Sequence, residues 1–356
     1  MNEFVYDALP GRILFGRGAR RRAEAEVSAL GCQRLMVIAD LQAAGVAHEV
    51  ISRLGTAVAA TRIGVQQHVP EPLAAGARTE ARQAGADGLL SIGGGSATGL
   101  SKAVAVETGI PIIAIPTTYA GSEMTPIWGL TGEHKKTGRD LRALPKVVLY
   151  DPELTVGLPA GVSASSGFNA IAHCVEALYA KGANPVTSLQ AAEGIRALAS
   201  SLPRVVAVPE DLEARSDALY GAYLAGSALA VAGTALHHKA CHVLGGTWGL
   251  VHGDVNAVLL AHVVAYNAQA VPDAISRVAV ALGVAGGDAA GALFDLAQAI
   301  GAPTSLAELG LPEDVLEQAA ARIVAETGAS NPRLVDTDSV LRLLERAYAG
   351  SRPEPG

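Results

Sequence analysis

The sequence predicts two domains, an α/β domain with a mostly parallel sheet followed by an all-helical domain. The first 150 residues alternate short β-rich runs with helical stretches, whereas residues 163–350 show helical periodicity alone. The chain has 356 residues, half of them apolar, and is long enough to bury two cores. We place the boundary in the DPELTVGLP segment, which gives domains 1–155 and 156–356.

The elements of each domain follow from apolar periodicity and from prolines. Six extended segments are predicted in the first domain, at 12–15, 34–39, 61–65, 88–92, 111–115 and 146–150. Four helices are predicted between them, at 19–30, 43–54, 72–84 and 96–108. The runs at 88–92 and 111–115 are nearly all apolar, which is typical of strands covered on both faces. Helices of the second domain are expected to break at Pro185, Pro203, Pro209, Pro272, Pro303, Pro312 and Pro332.

Composition argues against several classes of protein. A net charge of −7 disfavours a nucleic-acid partner, and the basic run RGARRR at 17–22 is read as a solvated helix start. No apolar run reaches the roughly 18 residues that cross a bilayer, and the first residues lack the pattern of a secretory signal. Cys32, Cys174 and Cys241 are widely spaced and odd in number, which fits a reducing compartment. We therefore expect a soluble, cytoplasmic protein with no membrane partner.

A glycine-rich turn, GGGS at 93–96, follows one predicted strand and opens a helix. Glycines there let the backbone approach a diphosphate at the helix N-terminus, although a plain tight turn is the alternative. Thr117 and Thr118 follow the next strand, at the edge where open α/β sheets bind ligands. Asp40 ends an earlier strand and either holds a ribose or caps the next helix. Together these features favour a nucleotide.

Five of the nine histidines lie within 26 residues, at His237, His238, His242, His252 and His262. His238 and His242 are four residues apart and share a helical face, and Asn169 and His173 repeat this spacing on another predicted helix. Such pairs can converge on a divalent metal, whereas polar residues satisfied within a helical core are the alternative. His237 and His262 are assigned a structural or supporting role.

The motifs, in their order and spacing, resemble those of the iron-containing alcohol dehydrogenase family. They are GGGS at 93–96, PTT at 116–118, SE at 122–123, DPELTVGLP at 151–159, NAIAHCVEAL at 169–178 and HKACHVLGGTWGLVHG at 238–253. The resemblance covers nearly the whole chain. It implies the dehydroquinate synthase-like fold of that family and an oxidoreductase that uses a nicotinamide dinucleotide.

Three departures from the family pattern resemble one branch of it. Asn169 and Gly99 stand where the family has acids, the second within GGGSxxDxxK, and the threonine turn reads PTTYAGSEMTPIWG. Members of that branch reduce the carbon–carbon double bond of maleylacetate to give 3-oxoadipate, in the breakdown of aromatic compounds. The expected reductant is NADH, with NADPH also accepted. The preference is expected because Asp40 would repel a ribose 2′-phosphate and the next residues, Leu41 and Gln42, offer no cation to offset it. It also implies that no metal is required, and the neutral side chain of Asn169 points the same way because it cannot offset a cation's charge.

The resemblance assigns seven positions of the first domain to the dinucleotide. They are Asp40 for the adenine ribose, Gly94, Gly95 and Ser96 for the diphosphate, Thr117 and Thr118 beside it, and Thr125 near the nicotinamide. In the second domain His173, His238 and His252 occupy the family's metal-ligand positions, and His242 the position nearest the nicotinamide. These four histidines are the expected catalytic residues, with His242 or His252 as the proton donor.

The implied substrate is a small dicarboxylate, so the protein must stabilise an enolate, supply a proton and hold two carboxylates. Lys136, Arg139 and Lys239 are candidates for the carboxylates, and each is otherwise a surface charge. We expect a homodimer. Two other functions stay open at this stage, a metal-dependent alcohol or aldehyde dehydrogenase of the same family and a nucleotide-binding regulator without catalysis.

Overall fold

The computed structural model describes residues 4–65, 69–132, 136–284 and 287–354. The chain divides into two compact units. One runs from Leu9 to Leu158, and the other begins at Pro159 and also includes residues 4–8. The division therefore falls after Leu158 rather than after residue 155, and the first residues group with the helical unit.

A parallel sheet of six strands forms the centre of the first unit. In chain order the strands of this unit are β1 (Arg12–Phe15), β2 (Leu35–Ala39), β3 (Val58–Ile63), β4 (Gly88–Gly93), β5 (Ile112–Pro116), β6 (Ile127–Leu130), β7 (Lys136–Arg139) and β8 (Val147–Tyr150). The large sheet has the order β1-β8-β5-β4-β2-β3, and all its neighbouring pairs are parallel. The predicted α/β class and parallel sheet are confirmed.

Helices cover both faces of this sheet, which explains why its strands are apolar at consecutive positions. They are α1 (Ala23–Ala29), α2 (Ala44–Leu54), α3 (Glu71–Gln83) and α4 (Gly95–Thr108). Successive side chains of β2 point to opposite faces. Val37 packs in the core that includes Ala47 of α2, and Met36 packs in the core that includes Ala77 and Leu100 of α3 and α4.

The direction in which the sheet grows reverses between β2 and β4. Strand β2 pairs with β3 on one side and with β4 on the other, and β5 then extends the sheet beyond β4. Open α/β sheets bind ligands at the carboxyl ends of the strands at such a reversal. Asp40 follows β2 and the GGGS turn begins at the end of β4, so both lie at this edge.

The antiparallel hairpin of β6 and β7 was not predicted from the sequence. Ile127 pairs with Arg139, and Leu130 pairs with Lys136. Each strand has only four residues, and the sequence of β7, KTGR, lacks the apolar alternation that marks a strand.

The second unit is helical, and no strand occurs among its described residues. Its helices are α5 (Ala160–Ala177), α6 (Pro185–Ala207), α7 (Leu212–Ala232), α8 (Leu236–Trp248), α9 (His252–Asn267), α10 (Pro272–Ala281), α11 (Ala289–Ala299), α12 (Leu316–Thr327) and α13 (Thr337–Tyr348). Among the described residues no single helix is long and apolar enough to cross a membrane, although α7 and α8 meet that test as a pair bent by 100°.

The predicted helix break at Pro203 is wrong, because α6 continues through this residue to Ala207. A proline inside a helix removes one backbone hydrogen bond and costs about 3 kcal/mol. Leu198, Leu202 and Val205 are fully buried on either side of it. Burying side chains of this size contributes roughly 1.5–3 kcal/mol each, which outweighs the cost of the proline.

Candidate functional site

The GGGS turn between β4 and α4 requires its glycines for two different reasons. Gly93 has a φ of +145°, and a Cβ on it would overlap the carboxylate of Asp40. A Cβ on Gly94 would lie 2.9 Å from Cγ2 of Thr118. Gly95 is exposed, and a Cβ there would meet no atom within 4 Å. The turn is therefore packed tightly against Asp40 and Thr118 and is open at Gly95. The backbone N–H groups of this helix end that Asp40 does not occupy favour an anion.

Asp40 is bonded to this turn. Its Oδ2 accepts a hydrogen bond from the N–H of Gly94 at 2.6 Å, and its side chain makes no capping bond to the helical turn that follows it. Burial raises the pKa of Asp40, and the backbone amides of Gly94 and Ala97 oppose that shift. The carboxylate thus lies beside the candidate diphosphate position, and its assignment to the ribose stays a prediction.

The threonines after β5 lie on the other side of the turn. The N–H of Thr117 donates to the carbonyl of Gly93 at 3.0 Å, and Thr118 contacts Gly94 as described. Thr125 is buried, and its hydroxyl donates to the carbonyl of Ser122 at 3.1 Å and accepts from Lys102. The hydroxyl of Thr125 is therefore engaged within the protein.

Lys102 on α4 is buried, and it occupies the lysine position of the family pattern GGGSxxDxxK. Its Nζ donates to the carbonyl of Ser122 at 2.6 Å, to Oγ1 of Thr125 at 2.8 Å and to the carbonyl of Ile127 at 2.9 Å. Burial lowers the pKa of Lys102 to about 7, and the charge of buried Glu123 opposes that shift. One ammonium group thus fastens the segment between β5 and β6 to the helix that opens at the glycine turn.

The helical unit brings together all four histidines that were predicted to be catalytic. The rings of His173 and His238 stack with centroids 4.6 Å apart, and those of His242 and His252 stack at 5.5 Å. His238 and His252 join the two pairs, with ring centroids 6.5 Å apart. We call these four residues the histidine row. Helix α5 supplies the first ring, α8 supplies two, and the first residue of α9 supplies the last.

The histidine row runs from the core to the surface. His173 and His238 are buried, His252 is half-buried and His242 is exposed. Burial, together with neighbouring imidazoles, lowers the pKa of His173 well below its usual value and that of His238 to about 3. Both buried rings are therefore neutral at neutral pH and carry lone pairs that can bind a cation.

Glu176 is a functional residue that the sequence analysis missed. It is fully buried on α5, and its carboxylate accepts hydrogen bonds of 2.7 Å from the N–H of His237 and from Nδ1 of His238. Burial raises the pKa of Glu176, while His237 and the backbone amides at 235, 237 and 238 lower it. The sequence did contain a sign of this carboxylate. Glu176 lies three residues after His173 on the same predicted helix, and residues three apart on a helix are neighbours on its surface.

The two histidines that were given supporting roles lie in different places. His237 is buried beside the row, and its Nε2 bonds to the carbonyl of Asn256 at 3.1 Å. His262 lies ten residues after His252 on α9, roughly 15 Å away along the helix axis. Asn169 is buried on α5, one turn before His173.

The three candidate carboxylate holders also differ in their surroundings. Lys136 is exposed and its Nζ is 2.5 Å from the Glu71 carboxylate, and Arg139 is exposed on β7. Lys239 is half-buried and lies between His238 and His242 on α8. Its ammonium group has no ion pair with a described residue, so Lys239 is the candidate best placed to meet an anion near the row.

The donor set of the helical unit fits a divalent cation. Glu176, His237 and His238 each offer a ligand atom, and these atoms lie within 4.8 Å of one another. Nε2 of His238 and Nδ1 of His173 are buried and have no hydrogen-bond partner among the described residues. A carboxylate that binds Nδ1 of a histidine holds the ring so that Nε2 presents its lone pair, which is a recurring arrangement behind metal ligands.

Comparison with known proteins agrees with this architecture. Residues 10–152 match the iron-containing alcohol dehydrogenase model, and residues 163–348 match the C-terminal model of the same family. Maleylacetate reductase of Burkholderia cepacia is 48% identical over 99% of this chain and 100% of its own length. The crystal structure of maleylacetate reductase from Agrobacterium tumefaciens superimposes with a TM-score of 0.95, at 45% identity over 99% of this chain and 100% of its own. An iron-containing alcohol dehydrogenase from Corynebacterium glutamicum gives 0.94, at 42% identity over 100% of this chain and 99% of its own.

The expectation that no metal is required is corrected by these findings. Both matched family models describe iron-containing enzymes. The structure also contains a group of potential metal ligands at Glu176, His237 and His238. The expectation assumed that the neutral Asn169 left the site without a compensating charge. The structure shows the error in that assumption, because the buried carboxylate of Glu176 lies against His238 and can offset the charge of a cation.

Proposed function

This chain belongs to the iron-containing alcohol dehydrogenase family, and from that premise we propose that it reduces maleylacetate to 3-oxoadipate with a nicotinamide dinucleotide. The observation that carries the proposal is the similarity to relatives named maleylacetate reductase along the whole length of both chains. The histidine row supports it, because a binding protein without catalysis has no need for four adjoining imidazoles of graded burial.

The first unit would bind the dinucleotide at the carboxyl ends of β2 and β4. The reversal of the sheet and the open N-terminus of α4 at Gly95 both favour a diphosphate there. Ser96, Thr117 and Thr118 border the same turn. Asp40 would repel a phosphate on the ribose, so NADH is the favoured reductant over NADPH.

The second unit would supply the acid–base chemistry. Hydride addition at the alkene carbon far from the ketone moves an electron pair onto the ketone oxygen, and the neighbouring carbon then takes a proton. Imidazole N–H groups can donate to the developing oxyanion. We assign proton delivery to His242 or His252, because the exposed ring of His242 can exchange protons with water and stacks on His252. His173 and His238, neutral and buried, would hold the geometry of the row.

A divalent metal would be held by the donor set around His238. Glu176 supplies the compensating charge, His237 lies beside it, and the buried nitrogens of His238 and His173 provide imidazole ligands. When bound, such an ion acts as a Lewis acid toward the substrate oxygen.

Lys239 would bind one carboxylate of the substrate. It lies one residue after His238 and three before His242, and no described residue forms an ion pair with its side chain. An ammonium group that is already paired, as that of Lys136 is with Glu71, has less to offer an anion.

We also propose that the protein works in the cytoplasm as a homodimer. The three cysteines are buried and unbonded to one another, which suits a reducing compartment. Sedimentation of the purified protein would test the dimer directly.

A spectrophotometric screen tests the proposed reaction. The purified protein is given NADH with maleylacetate or with simple aldehydes, and NAD with simple alcohols, while its metal content is measured in parallel. Rapid oxidation of NADH by maleylacetate, with little turnover of the others, is the expected result. Preferred turnover of alcohols or aldehydes would favour the second candidate, a metal-dependent alcohol dehydrogenase, which the metal-ligand group and the 42% identical relative support. Turnover of none would indicate a regulator.

A further inference from the structure

A basic cavity lies in the helical unit, away from the histidine row. It has a volume of about 340 Å³ and is lined by residues of α9 and α13, by the segment before α13 and by the chain after it. His262 is its α9 residue nearest the row, and it lies ten residues along the helix from His252. Nothing in the proposed reaction uses this cavity.

Three arginines line the cavity. Arg342 and Arg346 are four residues apart on α13 and therefore share a face. Arg333 comes from the segment before α13 and is held by Tyr266 of α9. Its guanidinium carbon lies 4.0 Å from the ring centroid of Tyr266, and its Nη1 donates to the carbonyl of Tyr266 at 2.7 Å. Guanidinium groups bind carboxylate and phosphate oxygens in pairs, so their convergence suits an oxyanion.

Two acids lie close to these three arginines. Glu354 is the one acid in the described lining; it is mostly exposed and lies 3.7 Å from Arg346. Asp336 is the second acid: hydrogen bonds from the hydroxyl and N–H of Ser339, and then the charges of Arg342 and Arg333, lower its pKa, so it stays ionised beside the cavity. Three positive and two negative side chains therefore leave one positive charge in excess at this cavity, on a chain whose net charge is −7.

His262 brings a buried polar atom without a partner to the same cavity. It is 4% exposed, lines the cavity, and its Nε2 has no hydrogen-bond partner among the described residues. Burial, and then repulsion from Arg346, lower the pKa of His262 to about 4. A buried polar atom without a partner costs about 1–3 kcal/mol. In the tautomer with its proton on Nε2, the neutral imidazole would donate to an anion bound at Arg346, which satisfies that atom.

We propose that this cavity is a binding site for a small dianion, a dicarboxylate or a phosphate, distinct from the site of the reaction. Arg342 and Arg346 bind its oxygens, Arg333 closes the far side, and Glu354 competes with it for Arg346. The proposal does not depend on the proposed reaction.

Calorimetric titration of the full-length protein with succinate and with inorganic phosphate, at constant ionic strength, tests the proposal. We expect saturable binding of one of the two, and their relative affinities identify whether a carboxylate or a phosphate is preferred. Arg346→Met should weaken binding by about tenfold or more, as expected for a lost charged hydrogen bond. Arg322→Met is the matched control, because Arg322 is another exposed arginine of this unit and lies over Trp248, outside the cavity.

Glu354→Gln makes the test independent of damage to the fold. Removing the competing carboxylate should tighten binding about twofold or more, a gain that a misfolded protein would not show. Absence of saturable heat with both anions would overturn the proposal. Equal affinities for wild type, Arg346→Met and Glu354→Gln would also overturn it, because binding would then be elsewhere.

Discussion

Replacement of Glu176 by glutamine should change which nitrogen of His238 carries the proton. In the wild type the carboxylate accepts from two donors, the backbone N–H of His237 and Nδ1–H of His238, at 2.7 Å each. The glutamine side chain has one accepting oxygen and one donating NH2 group. The backbone N–H of His237 can only donate, so it takes the oxygen, and the NH2 group then faces His238. The ring must accept at Nδ1 and carry its proton on Nε2.

The magnitudes separate an effect on metal binding from an effect on the fold. Loss of charge-assisted hydrogen bonds costs about 1.5–3 kcal/mol each. Glutamine carries no charge, so the substitution also removes the desolvation penalty of several kcal/mol that the buried carboxylate carries. The two effects oppose each other, so the net change in the free energy of unfolding should be small. By contrast, a protonated Nε2 on His238 can no longer bind a cation. Changes behind a metal ligand lower affinity by roughly 10- to 100-fold, or about 1.4–2.7 kcal/mol.

Two measurements check this prediction. Titration with Zn²⁺ or Fe²⁺ should show the loss of affinity in Glu176→Gln, and ¹⁵N NMR of the imidazoles should show the change of tautomer. Glu193→Gln is the matched control, since Glu193 pairs with Arg196 on the surface of the same unit. If Glu176→Gln bound metal as tightly as the wild type, with the tautomer of His238 unchanged, the role given to the carboxylate would be refuted.

Four further predictions concern the proposed reaction. Lys239→Met should raise KM for maleylacetate about tenfold with little change in the cofactor KM, whereas Lys136→Met should match the wild type in steady-state kinetics. His242→Ala should lower kcat by roughly a hundredfold or more with nearly unchanged NADH affinity, and near-native turnover would exclude it as the proton donor. Lys102→Met should weaken NADH binding about tenfold in a fluorescence titration by freeing the segment that its three hydrogen bonds fasten; unchanged affinity would limit it to a structural role. Asp40 should favour NADH over NADPH, and equal or better kcat/KM with NADPH would contradict this.

The sequence by itself determined the fold class and most of its elements. Strands that are apolar at nearly every position, such as the one ending at Gly93, must be covered on both faces, so this pattern sufficed to predict the parallel sheet. The four-residue spacing of His238 and His242 likewise predicted a shared helical face, because that spacing is fixed by the helix itself. Pro203 shows the limit of such local rules. Its helix continues because the burial of Leu202 and Val205 outweighs the free-energy cost of a proline inside a helix.

Only the tertiary structure decided what surrounds each polar side chain. Glu176 was visible in the sequence, but its contact with His238 depends on how α5 packs against α8, across 62 residues of chain. The same is true of Lys102, whose three partners lie 20 to 25 residues further on. Charge compensation acts through space at distances of a few ångströms, and a sequence gives only separations along the chain. For that reason the sequence identified histidines that the structure brings together, but it misjudged the charge available to a metal.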